Sequence, residues 1–354
     1  MKKRYQILIL AVAIGGGFIW GRLSAPKTVT YDRLTLTDNH PMSASRVANL
    51  TDIPNSGGTA SQTLPAKTVA KSSGGGYVYV SNSNTTTVSR CKMKVRGIID
   101  SCDTVGSGFN APSGLGINSK LNVLYITNEG TNTISMCQLD HNSGALNNCQ
   151  TTGSGFDDPT AIAINNSLSG AYIINYKADA VSYCSVSAST GALSNCTIAY
   201  SELAQPTDIN FSLDNNYVYI TNSGDDSVTV CVNDPQSGSL NNCHDTGSNF
   251  SSPQSITMGV NGNYAYITNQ VANNVTVCKI NPADGNLNNC QATGDSFNAP
   301  SDFTIGNNGT LAYISNDDSV SICGINTNDG SLKSCQNFTG NFNNSTGIRV
   351  MDTN

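Results

Sequence analysis

The chain has 354 residues, of which only 12% are charged, with 33 glycines, 12 cysteines and a formal net charge of −6. That length admits two average domains or a single repeat array, and 38% hydrophobic residues suffice for a core if strands alternate and turns are polar. Residues 1–76 carry nine Lys/Arg against three Asp/Glu and residues 77–354 nine against 21. The body is therefore acidic and lacks the basic clusters that neutralise phosphates, so nucleic acid is not expected as a partner.

Residues 1–25 read as an export segment. Lys2, Lys3 and Arg4 precede an apolar run from Ile7 to Trp20. That run is shorter than the roughly 20 residues of an ordinary membrane span and suits a signal peptide. Cleavage after Ala25 and retention as an N-terminal membrane anchor through residues 5–21 both remain open, because Pro26 is a poor neighbour for a cleavage site. No Cys follows the run, which excludes a lipoprotein anchor. On either reading the rest of the chain lies outside the cytoplasm: in the periplasm, on the cell surface or secreted. Residues 26–76 have no sustained periodicity, are rich in Ser, Thr, Ala, Pro and Gly, and end in Ser72-Ser73-Gly74-Gly75-Gly76, the composition of a flexible linker.

From Tyr77 to the end the chain repeats. Each unit opens with an apolar, aromatic strand ending in Asn: 77–82, 123–128, 171–175, 217–222, 264–269 and 311–316. A β-branched strand follows, then an outermost strand after an Asn/Asp/Gly turn, then a Gly-Phe-Pro connector leading into a fourth strand. The strands are short, β-branched or aromatic and bounded by turn residues, with no helical period. Four strands in about 46 residues is the size of one propeller blade. The array starts without a post-connector strand and finishes with one, Thr346 to Met351, so the C-terminal strand is predicted to complete the first blade and close the ring. The fold class expected is all-β: a six-bladed β-propeller of four-stranded blades over 77–354.

Twelve cysteines keep step with this repeat as Cys91/Cys102, Cys137/Cys149, Cys184/Cys196, Cys231/Cys243, Cys278/Cys290 and Cys323/Cys335. Within a pair the step is 12, or 11 in the first. Outside the cytosol such even spacing reads as disulfides, whereas a metal site needs tighter Cys or His clusters. If Cys278 opposes Cys290 in a regular hairpin, Ile280 opposes Asn288 and the two Cys share a face. One disulfide per blade is expected, and no metal.

The strands Leu124-Tyr125-Ile126-Thr127-Asn128, Tyr219-Ile220-Thr221-Asn222 and Tyr266-Ile267-Thr268-Asn269 resemble the Tyr-Val-Thr-Asn motif of YVTN-type β-propeller repeats. The Asn-x-Val-x-Val stretch and Gly…Pro connector are similar too, and the likeness covers residues 77–354. It implies the propeller fold; for function it implies less, since that family spans surface proteins, quinoprotein-associated proteins and lactonase-like members. The chain departs from the pattern by placing Cys in the two outer strands.

Three sets of residues could carry chemistry. The Cys pairs recur equally and are structural. The oxygen-rich turns Leu139–Gly144, Asn233–Gly238, Asn281–Gly285 and Asn326–Gly330 match no calcium-loop pattern, and their composition is what tight turns require. The third set lies where connector meets inner strand, at the channel mouth. Aligned on the connector Pro, the next residues are Ser113, Thr160, Thr207, Gln254, Ser301 and Thr346, and one place on stand Asp208 and Asp302 among small residues. Convergent polar groups at such a mouth suit a ligand, although short hydroxyl residues also simply begin strands after Pro.

No nucleophile motif, phosphate loop or cofactor fingerprint appears, so no catalytic residue and no cofactor is assigned. The domain's two histidines, His141 and His244, lie near outer-strand turns, away from the mouth. Low charge, sparse histidine and uniform repeats favour a non-catalytic, exported binding or interaction scaffold with an unknown protein or glycan ligand. The alternative is a lactonase-like hydrolase or a lyase acting at the channel.

Overall fold

The computed structural model describes residues 75–351 apart from 95–96, 295–296 and 307–308. The predicted export segment 1–25, its anchor at 5–21, the linker up to residue 74 and residues 352–354 lie outside the described residues. Among the described residues no helix is long and apolar enough to cross a membrane.

Twenty-four strands form six four-stranded antiparallel sheets, and the helical content of the described residues is a single 3-10 turn at Glu129–Thr131. In five blades the strands run from the channel outward in chain order, beginning with inner strands Pro112–Asn118, Pro159–Ile164, Pro206–Phe211, Pro253–Met258 and Asp302–Ile305 (blades 2 to 6). Blade 1 takes its inner strand, Ser345–Met351, from the far end of the chain. It pairs antiparallel with Tyr77–Asn82, Ile348 facing Val80 and Val350 facing Val78. The ring is thus closed by hydrogen bonds, and the innermost edge of blade 1 is paired rather than exposed.

The core lies between blades, where each sheet packs both faces against its neighbours. Tyr79 and Val88 of blade 1 meet Leu115, Leu124 and Ile126 of blade 2, and equivalent clusters follow around the ring. This explains why the second strands are apolar on both sides: every residue of Val123–Asn128 is buried. The central Tyr of each second strand is fully buried and reaches the next blade. Tyr79 Oη donates to the Gly144 carbonyl at 2.8 Å, Tyr125 to Gly191 at 2.6 Å and Tyr219 to Gly285 at 2.8 Å. The Asn that ends the strand staples its own blade: in blade 5, Asn269 Nδ2 donates to Thr276 Oγ1 at 2.9 Å while its Oδ1 accepts from the Ser251 amide at 3.1 Å.

All six Cys pairs are disulfides on the two outer strands, one per blade: Cys91–Cys102, Cys137–Cys149, Cys184–Cys196, Cys231–Cys243, Cys278–Cys290 and Cys323–Cys335. No free Cys is present among the described residues. The first member of each pair is buried between blades. The second stands on the outermost strand, where Cys102, Cys196, Cys243, Cys290 and Cys335 are half-buried and Cys149 is exposed.

The register corrects the regular hairpin expected, in which the two Cys oppose each other. Ile280 faces Leu287, and Lys279 faces Asn288, because the ladder shifts by one between Val277 and Lys279. Cys290 is therefore not the ladder partner of Cys278. Nor are Cys149, Cys196, Cys243 and Cys335 the ladder partners of Cys137, Cys184, Cys231 and Cys323, since each hairpin shifts register at its Cys. The extra residue is Asn289, at φ 51°, and Asn148, Asn195, Asn242 and Ser334 hold the same place before the second Cys of their blades. A β-bulge with a left-handed residue favours Asn there, which accounts for the recurring Asn-Asn-Cys. Blade 1 alone follows the expected pairing: Cys91 faces Cys102 directly, and the register shifts later, between Lys92 and Met93.

Candidate active site

Each connector turns sharply onto its inner strand through a residue in left-handed conformation. These are Ala111, Asp158, Gln205, Ser252, Ala299 and Asn344, with φ between 45° and 55°. The turns are held from the preceding blade: the Asp158 amide donates to Asn132 Oδ1 at 2.8 Å and the Gln205 amide to Asp179 Oδ1 at 2.8 Å. Just inside stand the polar residues that follow the connector. A cavity of about 410 Å³ opens here, walled by the inner strands of all six blades, within the usual size range of small-molecule sites. All eight mouth residues singled out from the sequence line it: Ser113, Thr160, Thr207, Asp208, Gln254, Ser301, Asp302 and Thr346. None of the twelve disulfide cysteines does. Cys149, Cys196, Cys243, Cys335 and their partners stay on the outer strands, so they brace the blades and take no part in this site.

The inner strands are not evenly spaced. A Cβ on Gly114 would meet the Thr160 carbonyl oxygen at 2.5 Å and the Ala161 Cα at 2.6 Å, so glycine is needed where blades 2 and 3 approach. At the same place in blades 4 and 6 the chain carries aspartates that bridge to the next blade. Asp208 Oδ2 accepts from the Ile256 amide of blade 5 at 2.9 Å, and Asp302 Oδ2 from the Ile348 amide of blade 1 at 2.8 Å. Both are only 5% exposed.

Beside Asp302 lies Arg349, which the sequence reading did not single out. Its Nη1 donates to Asp302 Oδ2 at 2.6 Å and to the Ile348 carbonyl at 2.7 Å. Among the described residues no bond engages its Nη2 or Nε, so donors remain for a ligand in the cavity it lines. A signal for it existed. Four places after the connector Pro the repeats read Gly116, Ala163, Asn210, Thr257 and Thr304, then Arg349 in the unit where Ser345 replaces Pro. Strand alternation turns that position toward the channel as well.

Burial drives the electrostatics. It pushes the Asp208 carboxyl from the ordinary carboxylate range up to about 7; the neighbouring Asp302 charge adds to the rise, and Arg349 and the Ile256 amide oppose it. Burial also raises Asp302, with Arg349 and the Ile348 amide pulling it back. The two carboxylates differ in their partners: Asp302 is ion-paired with Arg349, whereas Asp208 accepts from the Ile256 amide and is poised near neutrality. A second acidic pair stands at the rim, where burial raises Glu129 and Lys177 pairs with Asp158 at 3.4 Å. Neither Glu129 nor Asp158 was anticipated, since both sit in segments that read simply as polar turns.

Two buried hydroxyls of cavity-lining residues, Thr160 Oγ1 and Ser345 Oγ, are left over. In five blades the hydroxyl on the second strand accepts from the inner-strand amide: Ser81 from Gly347, Thr127 from Gly114, Thr221 from Asp208, Thr268 from Ser255 and Ser315 from Asp302. Blade 3 has Ile174 at that position, and the buried Thr160 Oγ1 has no partner.

His141 and His244 lie on the outer rim, bonded to Asn122 Oδ1 and Asn286 Oδ1. No group of three or more His, Cys, Asp or Glu among the described residues is arranged to hold a metal.

The family model described as lactonase, 7-bladed β-propeller, matches residues 118–258 and 245–342. No curated protein matches the chain. Among solved structures, a candidate 6-phosphogluconolactonase from Bacteroides uniformis is 19% identical, covering 75% of this chain and 83% of its own, with a TM-score of 0.59. A periplasmic gluconolactonase from Pseudomonas aeruginosa is 14% identical over 78% of this chain and 99% of its own, TM-score 0.58. A chain of a nidogen/laminin complex is 13% identical over 78% and 98%, TM-score 0.61. At such identities the structures speak for the fold alone. The family match overturns the expectation of a non-catalytic scaffold. That expectation rested on scarce histidine, whereas the channel concentrates buried carboxylates and an arginine, groups equally able to move protons and stabilise charge.

Proposed function

This chain belongs to the lactonase, 7-bladed β-propeller family, and we propose that it is an exported hydrolase that opens a lactone ring at the channel mouth. The observation that carries the reading is the Asp208–Arg349–Asp302 constellation in the wall of the cavity. Asp208, titrating near neutrality, takes a proton from a water molecule as its oxygen attacks the lactone carbonyl carbon. The carbonyl π bond becomes an oxyanion, which the free N–H groups of Arg349 stabilise. Collapse re-forms the carbonyl and breaks the ring C–O bond, and Asp208 returns its proton to the departing ring oxygen. The product is the open hydroxy acid, and Asp208 is left ionised as it began. Asp302 positions Arg349 and keeps its charge in place. The six disulfides fit an extracytoplasmic protein, and we place the enzyme in the periplasm or beyond it.

The test is hydrolysis of aldono-1,5-lactones by the purified full-length protein, above the spontaneous rate, beside Asp208→Asn. The asparagine keeps an acceptor for the Ile256 amide but cannot carry the proton. A fall in kcat of about 10²–10⁴-fold is expected. An unchanged rate removes Asp208 from the chemistry, and absence of hydrolysis in the wild type removes the reading.

A further inference from the structure

We propose that the cavity selects lactones bearing no phosphate or other anionic group, that is, uncharged polyhydroxylated ring esters. This rests on the hydrolase reading and names its substrate class. Four carboxyl groups line the cavity (Glu129, Asp158, Asp208 and Asp302) against one cation, Arg349. That cation is already paired with Asp302 at 2.6 Å. Lys177, which does not line the cavity, faces Asp158 at 3.4 Å from a largely exposed position. A phosphate monoester brings about −1.5 to −2 charges at neutral pH and is ordinarily met by free Arg or Lys forks or by a helix N-terminus. No α-helix lines this cavity among the described residues, and its one cation, Arg349, already has its Nη1 committed to Asp302 and the Ile348 carbonyl. A phosphate would therefore enter a buried space in which four carboxyl groups face one arginine, where repulsion from any ionised carboxylate is poorly screened.

What the cavity does offer is neutral hydrogen-bonding capacity. Gln254, Gln270 and Tyr176 on the cavity wall each both donate and accept. Sugar hydroxyls, which also both donate and accept, match such a wall. Carboxylates at the rim, Glu129 in particular, accept from hydroxyls while rejecting phosphate oxygens.

The experiment has two arms on the oxidised full-length protein. The first compares kcat/KM for glucono-1,5-lactone and its 6-phosphate at low and at 0.5 M salt. A preference of about tenfold or more for the neutral lactone is expected, narrowing at high salt and in Glu129→Gln. The second arm, independent of catalysis, compares binding of glucitol and glucitol 6-phosphate by calorimetry, with glucitol expected to bind more tightly. If neither lactone is hydrolysed but glucitol still binds in preference, the hydrolase reading falls and the charge selection stands. Equal or better use of the phosphorylated lactone, or equal or tighter binding of glucitol 6-phosphate, overturns the selection. Absence of both hydrolysis and glucitol binding overturns it too.

Discussion

At Asp208 a carboxyl of 5% exposure hydrogen-bonds the backbone of the next blade within the electrostatic influence of Asp302 and Arg349. Its raised pKa ties function to stability. The folded protein holds this proton up to about pH 7, whereas the unfolded chain releases it near the ordinary carboxylate value. The folded state thus binds the extra proton between those limits, so the associated stability is fully present below about pH 4 and is lost as pH rises to about 7. Asp208→Asn has no such titration. Its melting temperature relative to wild type should climb across that window, by the equivalent of about 4 kcal/mol, and level off above it; differential scanning calorimetry at a series of pH values reads this directly. A constant difference from pH 4 to pH 8 contradicts the assignment. That Asp208 and Asp302 enter the channel was legible, because their place after the connector Pro is fixed by the repeat. Arg349 was not, because its position lies two residues deeper in the strand than the pair aligned after the connector.

On the level of the strand and hairpin, the repeat is explained by two recurrent side chains rather than by apolar content alone. The buried second-strand Tyr ties five of the blades to the next by a hydrogen bond, and the terminal Asn ties second strand to third strand and connector. Tyr219→Phe keeps the ring and deletes only the donor, leaving the Gly285 carbonyl unpaired. It is expected to cost about 1–2 kcal/mol and lower the melting temperature by about 2–5 °C, with activity retained; no loss would mean that the hydrogen bond is idle. Strand positions and disulfide partners were readable because Tyr, Asn and Cys each recur once per unit in a fixed role. The bulge before Cys149, Cys196, Cys243, Cys290 and Cys335 was not, since a one-residue shift leaves the Cys spacing unchanged and shows only as left-handed Asn289 and its equivalents. Where the connector changes, the staple changes with it: Asn222 Oδ1 is without a partner in blade 4, whose connector reads Leu203-Ala204-Gln205.

For the molecule as a whole, ring closure and chemistry depend on the same segment. The C-terminal strand completes blade 1, and it also brings Thr346 and Arg349 into the channel and gives the Ile348 amide to Asp302. The described residues close with six sheets, although the matched family is described as seven-bladed. The pairing of Ser345–Met351 with Tyr77–Asn82 accounts for closure at that number, since it leaves no unpaired inner edge for another blade to fill. Function was the least legible feature because the site is assembled from one or two residues of each of six repeats, none of which forms a motif by itself. The central claim, that a carboxyl poised near neutrality drives lactone opening, is tested most directly by the pH dependence of kcat for a neutral aldonolactone, corrected for spontaneous hydrolysis. The rate should rise with pH through a midpoint near 7 as Asp208 ionises, and Asp208→Asn should lower the rate about 10²–10⁴-fold and remove the midpoint. A flat profile, or a midpoint that survives in Asp208→Asn, contradicts the account.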